Sequence, residues 1–173
     1  MTNHPLRIGF SGLGIMGTPM VCHLMKAGHQ LFVFTRGKMP EEIARSTATQ
    51  CLDAKGVAQR ADIIITMVPD TPDVAEVLFG ETGVAQGLTA GKVVVDMSSI
   101  SPVDTKQFAR KIEALGCDYL DAPVSGGDVG ARNATLSIMV GGKPEVFERL
   151  KPVFGLMGKN ITLVGGVGDG QTA

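Results

Sequence analysis

The sequence has no tryptophan, a single tyrosine and three cysteines in 173 residues. An odd number of widely spaced cysteines (Cys22, Cys51 and Cys117) argues against a disulfide scaffold and for a reducing compartment. No C-x-x-C occurs, and no Cys/His cluster has zinc-site spacing, so no metal site is expected. Neither charge is in surplus: 16 Lys+Arg stand against 17 Asp+Glu, a net charge of −1. That balance gives no electrostatic grip on nucleic acid or an anionic membrane. No apolar run approaches the roughly 20 residues needed to cross a bilayer. The N-terminal stretch MTNHPLR lacks the apolar core of a secretion signal. These absences predict a cytoplasmic protein that binds neither nucleic acid nor membrane. Charged residues are only 19% against 44% apolar ones, which excludes intrinsic disorder. The length suits one domain, residues 1–173, able to bury a core.

Glycine is what the chain has in plenty, with 23 residues, roughly twice average usage. The glycines punctuate an alternation of short apolar runs and helix-period runs. Ile8–Ser11, Leu31–Thr35, Ile63–Met67 and Val93–Met97 are apolar without polar alternation, as strands buried on both faces of a parallel sheet are. Asp118–Asp121, Leu136–Val140 and Ile161–Val164 are further strand candidates. Met16, Met20, Leu24 and Ala27 recur at helical spacing and Gly28 closes that helix. Further helices are expected over 73–79, over 103–115 behind Ser101-Pro102, and over 144–154, the last broken near Pro152. This alternation predicts a doubly wound α/β fold of the Rossmann type, its sheet mostly parallel and helices on both faces. The final GVGDGQTA reads as a flexible tail or as the loop before a helix.

Gly12-Leu13-Gly14-Ile15-Met16-Gly17 is a G-x-G-x-x-G directly after the strand RIGFS and at the start of a helix. In that context the motif reads as a dinucleotide loop. Gly12 allows the tight turn, Gly14 lets the backbone approach a pyrophosphate, and Gly17 lets helix and strand pack closely. The helix N-terminus offers free N–H groups to the anion. About 20 residues on, the second strand ends at Phe34-Thr35-Arg36, where an NAD-specific fold places an acid. The first acid after it is Glu41; Arg36 and Lys38 come before it. A guanidinium suits a 2′-phosphate, so NADP is expected ahead of NAD, with Thr35 adding a hydroxyl; the alternative is that Arg36 is a solvated surface charge and NAD the cofactor.

Met67-Val68-Pro69-Asp70 and Asp96-Met97-Ser98-Ser99 end the third and fourth strands. Loops at carboxyl strand ends line the ligand crevice of such sheets. Ser98 and Ser99 offer hydroxyls to it, or cap the helix that begins near Pro102. Asp121-Ala122-Pro123-Val124-Ser125-Gly126-Gly127 follows the fifth strand. Its hydroxyl and flexible backbone can converge on a small carboxylate.

Together these motifs resemble the β-hydroxyacid dehydrogenase family. The matching stretches are IGFSGLGIMGTPM (8–20), AGH (27–29), ITMVPD (65–70), VVVDMSSISP (93–102), DAPVSGGDVGA (121–131) and SIMVGG (137–142). DMSSISP is most similar to the tartronate semialdehyde (2-hydroxy-3-oxopropionate) reductase branch. The resemblance implies that Gly12 to Gly17 hold the pyrophosphate, Val68 and Pro69 pack near the adenosine or the nicotinamide ribose, and Ser99 contacts the nicotinamide end. Ser125, Gly126 and Gly127 would anchor the substrate carboxylate. Ser11 departs from the apolar residue usual in the family's first strand.

The family's G-x-G-x-x-x-K segment carries its general acid or base. Residues 168–173, GDGQTA, match its first six positions, and the sequence stops before the Lys. By the same resemblance, the family's all-helical second domain, which forms the dimer, is expected to be missing from these 173 residues. The resemblance thus implies the cofactor domain of an enzyme that moves a hydride between a nicotinamide and a small 3-hydroxy or 3-oxo acid, homo-oligomeric at full length. No catalytic residue is expected within these 173. His4, His23 and His29 read as surface or packing residues, and Lys143 and Lys151 as a solvated face. The chain is expected to bind cofactor without turnover. A 3-hydroxyisobutyrate dehydrogenase or a short-chain semialdehyde reductase is the alternative within the class. Outside it stand a non-catalytic nucleotide-sensing module and an S-adenosylmethionine-dependent methyltransferase, the latter opposed by Arg36 where an acid would hold the ribose.

Overall fold

The computed structural model describes residues 4–173. The first three, part of the stretch read above for a leader, lie outside the described residues. The first half runs β1 (Arg7–Ser11), α1 (Gly17–Lys26), β2 (Gln30–Phe34), α2 (Glu41–Ala44), β3 (Thr49–Gln50), α3 (Ala54–Arg60), β4 (Ile63–Thr66) and α4 (Thr71–Phe79). The second runs β5 (Val93–Asp96), α5 (Pro102–Glu113), β6 (Asp118–Asp121), β7 (Val124–Ser125), α6 (Gly127–Asn133), β8 (Leu136–Gly141), α7 (Pro144–Phe154), β9 (Gly158–Gly165) and α8 (Asp169–Thr172).

The strands form one sheet in the order β3-β2-β1-β4-β5-β6-β8-β7, with β9 also paired to β8. The first six of that order are parallel throughout. β8 turns the sheet antiparallel against β6 and β7. The Rossmann expectation is met, and its physical reason is visible along each strand. Ile63 and Ile65 of β4 enter one core while Ile64 enters the other; Val93, Val95 and Val94 of β5 divide the same way. One core lies under α1 and α7 and holds Met20, Leu24, Phe147 and Phe154. The other lies under α3, α4 and α5 and holds Val57, Leu78, Phe108 and Ile112. Both faces are dry, so the strands read as unbroken apolar runs. Each such fully buried side chain stabilises the fold by about 1.5–3 kcal/mol.

Three differences from the sequence reading are instructive. Helix α7 continues through Pro152 to Phe154. The proline is exposed and lies in the last turn, while buried Val153 and Phe154 hold the chain helical beyond it. α2, β3, α3 and α6 were not anticipated. They are two to seven residues long, and α3 and α6 contain Gly56 and Gly130, so propensity and periodicity are both weak there. α3 is instead fixed by Asp53, whose carboxylate accepts the Gly56 N–H at 2.7 Å. Asp169–Thr172 form the short helix α8, with Gly168 at its N-cap, and not a loose tail. α8 packs on β8, β9 and α5.

Candidate functional site

The sheet order reverses between β1 and β4, so the loops after these strands part and leave a crevice. A cavity of about 670 Å³ fills it. All eleven residues expected to touch cofactor line it: Gly12, Leu13, Gly14, Ile15, Met16, Gly17, Thr35, Arg36, Val68, Pro69 and Ser99. The glycines divide their work. Gly12 has φ +107°, and a Cβ there would lie 2.0 Å from the Met67 carbonyl oxygen. A Cβ on Gly17 would lie 2.0 Å from the Gly12 carbonyl oxygen. Both are therefore glycine for the fold. A Cβ on Gly14 would meet nothing within 4 Å. Among the described residues, no backbone carbonyl takes the N–H of Leu13, Gly14, Ile15 or Met16. Open space beside free donors at the start of a ten-residue helix is what a pyrophosphate requires.

Arg36 faces this cavity from the end of β2, and an acid that sequence spacing missed meets it there. Asp73 in the first turn of α4 accepts from Arg36 Nη2 at 2.8 Å. The other Asp73 oxygen accepts the Asp70 N–H at 3.1 Å, half of a capping box. Asp73, Glu76, Val77, Thr82 and Gly83 complete this wall. They stand 37 and more residues from Arg36, and only the β1–β4 neighbourhood brings them close.

A second cavity of about 740 Å³ adjoins the first, and Ser99 lines both. Asp70, Thr71, Ser101, Ser125 and Gln171 give it a polar wall. Of the three residues expected to hold a carboxylate, Ser125 faces this cavity. Gly126 and Gly127 form the strand-to-helix turn behind it, with φ +129° and +61°, and do not line it. No histidine, cysteine or lysine lines it, and no group of metal-ligating side chains occurs among the described residues.

Beneath both cavities lies a polar row. Strand register sets Ser11, Thr66, Asp96 and Asp121 side by side at the strand ends, all fully buried. Asp96 Oδ1 accepts from the Thr66 hydroxyl at 2.9 Å and the Ser98 N–H at 3.1 Å. Burial pushes the Asp96 carboxyl up to about 6, against the pull of its bonds to Ser98 and Thr66. Among the described residues, Asp96 Oδ2, Ser11 Oγ, Thr105 Oγ1 and the Tyr119 hydroxyl find no hydrogen-bond partner. Asp121 is likewise raised by burial. Its two oxygens accept from Gly168 N (2.8 Å) and Gln171 N (3.0 Å) and fix the start of α8.

Ser98 joins the parts. Its hydroxyl accepts the Val68 N–H at 2.9 Å, and its carbonyl accepts from Gln171 Nε2 at 2.7 Å. It turns inward and does not cap a helix; Ser101 caps α5 by accepting the Asp104 N–H. His23, on α1, sets Nε2 at 2.9 and 3.0 Å from the carbonyls of Ala131 and Arg132 on α6. His29 Nδ1 accepts the Leu6 N–H. Both are packing contacts, as the sequence reading held.

Comparison with known proteins agrees with this geometry. Residues 7–166 match the NAD-binding domain of 6-phosphogluconate dehydrogenase. The chain is 60% identical over 167 residues to 2-hydroxy-3-oxopropionate reductase of Escherichia coli K12, covering 96% of this chain and 57% of that protein. It is 36% identical over 167 residues to human mitochondrial 3-hydroxyisobutyrate dehydrogenase, covering 96% and 50%. The solved structure of Mycobacterium tuberculosis 3-hydroxyisobutyrate dehydrogenase with L-serine superposes with a TM-score of 0.90 at 34% identity, covering 98% of this chain and 57% of that one. The chain thus spans a little over half the length of these relatives. No helix among the described residues is long and apolar enough to cross a membrane. By the match over residues 7–166 and the crevice that those residues build, the chain belongs to the family of 6-phosphogluconate dehydrogenase NAD-binding domains, an oxidoreductase fold shared with the hydroxyacid dehydrogenases.

Proposed function

We propose that the chain is the NADP-binding domain of a tartronate semialdehyde (2-hydroxy-3-oxopropionate) reductase, with the dinucleotide in the first cavity and a small carboxylate in the second. The observation that carries the reading is the open, donor-lined space at Gly14, in a cavity that shares Ser99 with the second. The free N–H groups of the Gly12–Gly17 turn hold the pyrophosphate. Arg36 and Thr35 face the 2′-phosphate, and Val68 and Pro69 wall the crevice. The bound nicotinamide supplies hydride transfer. Ser99 lies at the junction, beside the reacting carbon, and Ser125, shaped by the turn at Gly126 and Gly127, anchors the carboxylate. Fixing both partners across one serine supplies orientation. The side chains around the second cavity include no lysine or histidine to donate a proton. The domain therefore binds cofactor without turnover, and the proton donor comes from outside residues 1–173.

The tartronate reading follows the 60% relative. The 3-hydroxyisobutyrate reading stands second, on relatives at 34–36% identity. Fluorescence titration with NADPH and with NADH tests the cofactor. NADPH binds more tightly, Arg36→Asp removes that preference, and Gly14→Val weakens both by at least about tenfold with an unchanged melting temperature. No binding of either nucleotide overturns the reading. Reduction of tartronate semialdehyde by the 173-residue chain overturns the placing of the proton donor.

A further inference from the structure

Arg36 is the residue on which the 2′-phosphate reading turns, and its guanidinium is already engaged. Asp73 Oδ1 lies 2.8 Å from Nη2. Asp73 is not a loose surface acid: its second oxygen is held by the Asp70 N–H, and its side chain is three-quarters covered. Arg36 is the more exposed member, at 64%. Both line the first cavity, and Glu76, one helical turn from Asp73, lines it as well. A phosphate arriving at Arg36 thus meets a fixed carboxylate sharing the one lysine or arginine among the described residues that line the cavity. It must divide the guanidinium with Asp73 and sit beside its charge. A ribose hydroxyl brings no charge and suffers neither penalty.

We infer that Asp73 is a specificity-determining residue that restrains the NADP preference of Arg36 and keeps NAD binding competitive at the same site. This rests on the dinucleotide reading above. Asp73 acts on binding by competing for Arg36, and it touches no reacting atom.

The test is titration of the full 173-residue chain and its variants with NADPH and NADH. Asp73→Asn keeps an oxygen for the Asp70 N–H and so keeps the helix cap. It tightens NADPH about fivefold, the scale of one exposed charge pair, and leaves NADH within about twofold. In an Arg36→Ala background the same change alters NADPH by less than about twofold, because the acid then has no guanidinium to withhold. Glu76→Gln, which removes a charge but no ion pair, gives a smaller gain than Asp73→Asn. NADPH binding that is unchanged or weaker in Asp73→Asn overturns the inference: the acid would then be orienting Arg36 toward the phosphate. An equal gain for NADH overturns it too, as a general charge effect. Wild-type chain that binds neither nucleotide is a separate result, and it removes the dinucleotide reading itself.

Discussion

Two of the glycine turns that carry the chain from strand to helix in this molecule do so differently. The first, Gly12 to Gly17, leads into a ten-residue helix and lies wholly along a cavity. The second, Gly126-Gly127, leads into a seven-residue helix and does not line its cavity, which the preceding Pro123, Val124 and Ser125 do. In the first turn two glycines are demanded by the protein's own backbone and the third faces open space. In the second, a Cβ on Gly126 would lie 3.3 Å from Leu136, and one on Gly127 would meet nothing. Steric demand within the fold is thus concentrated in the first turn, and the second is held chiefly by dihedral angle. Similar composition hides a rigid cradle and a lightly built support.

Substitutions can break that contrast. Gly12→Ala is expected to destabilise the chain by about 3 kcal/mol or more, since positive φ and a backbone clash act together; chemical denaturation measures it. An effect below about 1 kcal/mol would show the first turn to be as pliant as the second. The polar row between the two turns ranks next. Asp96 has a folded pKa of about 6, above its unfolded value near 3.9. The folded state therefore holds the extra proton between those values, and stability falls as pH rises from about 4 through 6. From pH 5 to pH 7 the loss from this group is on the order of 1 kcal/mol. Asp96→Asn flattens the slope without abolishing it, because raised Asp121 contributes with the same sign. Melting scans across that pH range decide it; an unaltered slope would place the titration elsewhere. Gly127→Ala is the smallest effect. With φ +61° and free space, it costs about 1 kcal/mol, and a loss comparable to Gly12→Ala would erase the distinction.

The same contrast governs what could be read from sequence. The first turn was legible residue by residue because its work is local: strand, glycines and helix are contiguous, and all eleven expected residues share one cavity. The parallel sheet was legible because Ile63–Ile65 and Val93–Val95 bury both faces. Asp73 was not, since its meeting with Arg36 spans 37 residues and depends on strand order. α6 was missed because GDVGARN has neither strong propensity nor period; its contact with α1 comes through His23. Gln171 reads as a polar residue near an end, yet its amide spans Ile100 and Ser98. Ser98 and Ser99 could be told apart only by the family resemblance and not from the residues themselves, because which serine turns inward depends on the Asp96 carboxylate below.

Ser98 also sets a limit on dimensional error. The loop after β4, the loop after β5 and the start of α8 each meet the same residue, through its hydroxyl, its N–H relay to Asp96 and its carbonyl. Three surface loops positioned independently would add their fluctuations. Three loops referenced to one buried residue share a common datum, so the walls of the two cavities shift together and their spacing is preserved. Where a reaction loses about a hundredfold for a 1 Å misplacement, a single shared reference point is a form of tolerance control, reached with one residue well below the surface.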